Sequence, residues 1–95
     1  RIGGSMKVAV LYRSNSEHER LVSNFEREFE YRTGRSFVKY DVNTRDGAAM
    51  ASLYDVMRYP SVLALADDGQ MLQMWQGDTL PLINEVTYYS PAMAG

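Results

Sequence analysis

Ninety-five residues, 45% of them hydrophobic, make one domain with a core of modest size. A net charge of −2, with both signs interspersed, leaves no basic footprint for nucleic acid or an anionic membrane surface. The absence of cysteine excludes a disulfide framework, a thiolate metal site and thiol–disulfide exchange, which needs a thiolate nucleophile.

The first residues, Arg1-Ile2-Gly3-Gly4-Ser5, lack the apolar h-region of a secretory signal and read as an expression remnant ahead of a native Met6. With no signal and no cysteine, the expected location is the cytoplasm. The longest strongly apolar run, Val62 to Ala66, is strand-sized and far short of the roughly 18 residues of a membrane span. No repeat or low-complexity stretch interrupts the chain.

Lys7-Val8-Ala9-Val10-Leu11-Tyr12 predicts a buried strand, broken by Arg13-Ser14-Asn15-Ser16. From Glu17 the pattern becomes helical: Leu21, Phe25 and Phe29 recur every fourth residue, Val22 lies beside Leu21, and charges fill the other face. Thr33-Gly34 ends this helix, because Gly accepts the left-handed conformation of a helix C-terminus. Phe37 to Val42 supplies β-formers for a second strand. Asn43-Thr44-Arg45-Asp46 forms a turn that caps a second helix, whose apolar side carries Ala49, Met50, Leu53, Tyr54 and Met57. That helix is expected to stop near Arg58, since Tyr59 precedes a proline and is pushed from the helical region. Ser61 to Ala66 is a third strand. Asp67-Asp68-Gly69 signals a hairpin, and Gln70 to Gln76 returns as the fourth strand. Gly77-Asp78-Thr79 introduces a last helix, with Pro81 in its first turn and Leu82, Ile83 and Val86 docking it. The domain is bounded at residues 6–89, and residues 90–95 read as a frayed tail. The order β-α-β-α-β-β-α, with a crossover between the first two strands and an antiparallel edge from the hairpin, gives an α/β fold: a four-stranded mixed sheet with helices on both faces.

Tyr54-Asp55-Val56-Met57-Arg58-Tyr59-Pro60-Ser61-Val62, the Asp67-Asp68-Gly69 hairpin and Gly77 together resemble the thioredoxin-like superfamily over about residues 6–89. The resemblance implies a thioredoxin/glutaredoxin-like fold with a cis Pro60. It also places the family's Cys-x-x-Cys motif on Ser16-Glu17-His18-Glu19 and its buried first-strand acid on Val10. All three redox positions depart from the family pattern, so a redox-inactive member is expected.

Ser16 and Glu19 have the spacing of a capping box, in which Ser16 accepts from the Glu19 backbone N–H and Glu19 reaches back to Ser16. A Ser16–His18 nucleophile–base pair is disfavoured, because residues two apart on a helix face apart. Metal ligation by Glu17, His18 and Glu19 is disfavoured for the same reason. No catalytic residue, metal or cofactor is assigned. The resemblance implies a peptide groove beside the proline, built from Asn15, Ser16, Arg58, Tyr59, Pro60, Gln76, Gly77 and Asp78, where an extended chain would bind by strand addition. The rim is more polar than the apolar rims of redox members. A proline kept only to shape the sheet is the equally plain alternative. The leading expectation is a non-catalytic protein- or peptide-interaction module of unassigned oligomeric state. Its rivals are a glutathione-type small-molecule site using Arg58, Pro60 and Asp78, and a structural or oligomerising role for the edge strand or for Trp75, Tyr88 and Tyr89.

Overall fold

The computed structural model describes residues 6–66, 68–77 and 80–87. The expected remnant at residues 1–5, Asp67 of the hairpin, Asp78 and Thr79, and residues 88–95 with Tyr88 and Tyr89 lie outside these. The elements run β1 (Met6–Tyr12), α1 (His18–Thr33), β2 (Val38–Asp41), α2 (Arg45–Leu53), β3 (Ser61–Ala66), β4 (Met71–Gln76) and α3 (Ile83–Thr87). The four strands form one sheet in the order β2-β1-β3-β4. β1 pairs with β2 in parallel, and β3 runs antiparallel to both β1 and β4.

β3 explains the layering. Ser61, Val62, Leu63, Ala64 and Leu65 are all buried. Successive strand residues face opposite sides of a sheet, so a strand buried at every position must be covered on both faces. Val62 and Ala64 join Val8 and Val10 beneath Val22, Phe25 and Phe29 of α1, Phe37, and Ile83 and Val86 of α3. Leu63 and Leu65 join Ala9 and Leu11 beneath Ala51 of α2 and Val56, with Tyr54 and Tyr59 packed alongside. Phe25, Phe29 and Phe37 form a ring cluster with centroids 5.2 to 6.2 Å apart. Such aromatic pairs add about 0.5–1.5 kcal/mol beyond the area they bury.

Three local expectations shift. On α1, Val22 rather than Leu21 completes the buried face, and Leu21 stays 42% exposed. α2 ends at Leu53 rather than near Arg58, because a Schellman motif closes it. Asp55 takes the left-handed conformation (φ 57), its N–H donates to the Ser52 carbonyl, and the Val56 N–H donates to that of Ala51. The buried side of α2 is accordingly Gly47 and Ala51, while Leu53 and Met57 are 70% and 79% exposed. Gly47 is there for space: a Cβ at this position would overlap the Asp41 carbonyl, where the chain doubles back from β2 into α2. Finally, α3 begins at Ile83, so Pro81 precedes the helix. Glu85 reaches back to accept from the Leu82 N–H at 2.8 Å, and Leu82 itself is exposed.

The N-cap of α2 is as expected: the Thr44 hydroxyl accepts from Gly47 N–H. The hairpin also closes as expected, with Gly69 at φ 91 and its N–H donating to the Ala66 carbonyl at 2.9 Å.

Truncation of Phe29 to Ala is expected to cost about 3–5 kcal/mol, whereas Leu53→Ala should stay within about 0.5 kcal/mol. Chemical denaturation of the two variants checks the ranking. Gly47→Ala, which ordinary helix propensity would favour by about 1 kcal/mol, should instead destabilise the protein in the same measurement.

Candidate functional site

The strand directions bring four chain segments to one end of the sheet: the exit of β1 at Tyr12, the exit of β2 at Asp41, the entry of β3 at Ser61 and the exit of β4 at Gln76. Asn15, Ser16, Arg58, Tyr59, Pro60, Gln76 and Gly77 all lie on these segments. Asp78, the remaining sequence-predicted member, lies outside the described residues.

The loop leaving β1 is shaped by short polar contacts. Asn15 adopts a left-handed conformation at φ 58, which Asn tolerates better than most residues. The Ser16 hydroxyl donates to the Arg13 carbonyl and accepts from the His18 N–H, while the Glu19 carboxylate accepts from the Asn15 N–H at 3.3 Å. The expected reciprocal box is thus displaced by one residue at each partner, and α1 has Glu17, without a side-chain cap bond, at its N-cap position. No hydrogen bond joins the His18 imidazole to Ser16. Its Nδ1 is buried without a partner among the described residues, so these two side chains form no nucleophile–base pair. Those residues also contain no group of three potential ligands arranged to hold a metal.

Asp41 fastens this loop to the next. Its Oδ1 accepts from the Ser14 N–H at 3.2 Å and the Asn43 N–H at 3.0 Å, and Asn43 Nδ2 donates to the Ser14 hydroxyl at 3.1 Å. The Ser14 hydroxyl first, then the Asn43 N–H, hold the Asp41 carboxyl below its ordinary value of 3.8, because hydrogen bonds to a carboxylate favour its charged form.

The proline loop is anchored from below. The Tyr59–Pro60 peptide is cis, and Pro60 and Ser61 are fully buried. The Ser61 hydroxyl donates to the Arg58 carbonyl, and Gly77 N–H donates to the Pro60 carbonyl at 3.3 Å. The Gln76 carboxamide oxygen accepts from the N–H groups of both Met57 and Arg58, at 2.9 and 3.1 Å. Gln76 therefore braces the loop, so this oxygen already has partners within the chain. Gly77 has φ 121, and a Cβ there would lie 3.8 Å from the Arg58 guanidinium, which rests beside it.

Across the loop, the Arg13 guanidinium lies over the Tyr59 ring, 5.5 Å from its centroid, in a cation–π contact. Arg13 and Asp41 are site-building residues absent from the sequence-based set. The Tyr59 ring and Ser14 are distant in the chain from Arg13 and Asp41 respectively, and no local spacing marks these pairs. Among the described residues, the backbone N–H and C=O of Tyr59 make no hydrogen bond. The end of the sheet thus presents the unbonded backbone N–H and C=O of Tyr59, near two arginines and next to a buried proline. Val10, where the sequence resemblance places a buried acid, is fully buried and apolar. A groove of about 460 Å³ along the start of α1, lined by Glu17, His18, Arg20, Leu21 and Asn24, does not include the proline loop.

This architecture is similar to that of solved thioredoxins. A mutant thioredoxin from Halobacterium salinarum superposes with a TM-score of 0.74 over 92% of this chain and 76% of its own, at 20% identity. A thioredoxin pre-protein of Schistosoma mansoni gives 0.67 over 92% and 77%, at 17% identity. Thioredoxin O2 of Arabidopsis thaliana gives 0.66 over 83% and 69%, at 16% identity. The chain therefore has the thioredoxin fold without cysteine. No protein-family model matches it, and neither does a curated protein sequence.

Two outcomes test the bracing. A carboxyl with a depressed pKa stabilises the fold above its ordinary value, and that contribution disappears as pH falls through the depressed one. Stability should thus decline on acidification from about pH 4 downwards, and Asp41→Asn should flatten that part of the profile in pH-dependent denaturation. Gln76→Ala should cost about 1 kcal/mol and accelerate amide exchange specifically at Met57 and Arg58.

Proposed function

We propose that this domain is a redox-inactive, non-catalytic interaction module of the cytoplasm, which binds an extended peptide segment of a protein partner at the proline loop. Lack of cysteine removes thiol–disulfide exchange. The observation that carries the binding reading is the free backbone N–H and C=O of Tyr59. They lie beyond the end of the β3–β4 ladder, which begins at the Ser61–Gln76 pair. A residue whose N–H and C=O are both unbonded beside a sheet can pair with an incoming extended chain in the manner of strand addition, where main-chain hydrogen bonds give affinity and flanking side chains give selectivity. The rigidity of the platform supports the same reading. Gln76, Ser61 and Gly77 fix the loop from beneath, so little ordering cost falls on binding.

The test begins with peptides selected from a random heptapeptide display library on the immobilised protein. Binding of a selected peptide should slow amide exchange at Tyr59 by about tenfold or more. A Tyr59→Ala, Arg58→Ala double variant that keeps its circular dichroism spectrum should lose the peptide. Protection confined to residues away from the proline loop, or equal binding by the folded variant, would overturn the assignment.

A further inference from the structure

We infer that the extended segment taken by this site is acidic, its carboxylates meeting Arg13 and Arg58; this rests on the peptide-binding reading above. The sheet order places β3 between β1 and β4. Arg13 follows β1, and its guanidinium lies over the Tyr59 ring. Arg58 precedes Tyr59, and its guanidinium lies beside Gly77 at the end of β4. Two cations therefore lie near the unbonded backbone groups of Tyr59, Arg13 over its ring and Arg58 beside the end of β4.

Among the described residues, neither guanidinium has an anionic partner: the ion pairs there are Arg32–Glu28 and Lys39–Glu26. Two acids at this end are turned to backbone N–H groups, Glu19 to Asn15 and Asp41 to Ser14 and Asn43. A contact with the Tyr59 ring occupies none of the N–H donors of Arg13 in a conventional hydrogen bond. In a chain that is acidic overall, this end thus presents two arginines that have no ion pair among the described residues.

Carboxylates of an incoming extended chain would meet the two guanidiniums in charge-assisted hydrogen bonds, which are stronger than neutral ones.

Fluorescence anisotropy tests this with a labelled heptapeptide carrying glutamate at alternate positions between threonine and valine, compared with its glutamine and lysine counterparts. The glutamate peptide should bind about tenfold or more tighter than the glutamine one, protect the Tyr59 amide, and weaken as salt rises from about 50 to about 200 mM. Arg13→Gln and Arg58→Gln should each move its affinity toward that of the glutamine peptide, and the lysine peptide should be weakest. If the glutamate and glutamine peptides bind alike and both protect Tyr59, the groove stands and the acidic preference is wrong. If the glutamate peptide binds without protecting Tyr59, or if no peptide binds the folded protein, the groove reading and the acidic preference both fail. Retention of the preference by a folded Arg13→Gln, Arg58→Gln double variant would overturn the assignment of the two arginines.

Discussion

The structure depends on the burial of β3 on both sides. Val62, Leu63, Ala64 and Leu65 alternate between two layers and leave neither face for solvent. Apolar surface removed from water stabilises by roughly 25 cal/mol per Å², so the gain is realised only when α1 and α3 cover one face and α2 covers the other. That requirement sets the two clusters and the crossing of α2 over the sheet. It also sets the close approach of Gly47 to the end of β2. The phenylalanine cluster and the small residues Ala9 and Ala51 are the two ways the same strand is sealed: large rings on the side of α1, small side chains where α2 runs close.

Because β3 is central and runs against its neighbours, its entry lies at the same end as the exits of β1 and β4. The chain's polar bracing gathers there. Asp41 ties two loops together through backbone N–H groups, and Gln76 ties a third to the end of β4. Each bond is exposed or half-buried, and each contributes only about 0.5–1.5 kcal/mol. Their effect is to fix loop geometry more than to raise stability. A fixed loop with the backbone groups of Tyr59 unbonded suits the proposed recognition of a chain in extended form.

The same end carries no thiol chemistry. Ser16 and Glu19, onto which the sequence resemblance places the two cysteines, both have side chains engaged in shaping the turn into α1. Val10, where the same resemblance places a buried acid, is packed in the core. The first turn of α1 is therefore occupied by capping contacts, and the arginines on the neighbouring segments give the site its electrostatic character. A shared fold does not transfer an activity when the reacting groups are gone; what persists is the platform.

Much of this was legible in the residues. Strand and helix order, the Gly34 terminus, the Thr44 cap, the Asp68–Gly69 turn and the approximate place of the proline loop follow from period, turn chemistry and the resemblance, because each is encoded within a few neighbouring residues. The end of α2 was misjudged because a Schellman motif with Asp55 instead of glycine leaves little local mark. Its buried face was misjudged because Leu53 and Met57 are apolar yet point to solvent. Leu21 was placed inside for the same reason: period names a stripe, and packing against Phe37 and the sheet decides which edge of the stripe is covered. By itself, the sequence determined the class of fold and the absence of thiol chemistry, since both are properties of residue type and spacing. Only the tertiary structure decided that Gln76 braces the loop, that Arg13 lies over Tyr59, and that Asp41 joins two turns. Those contacts form between segments far apart in the chain, and their geometry exists only once the sheet has brought the strand ends together.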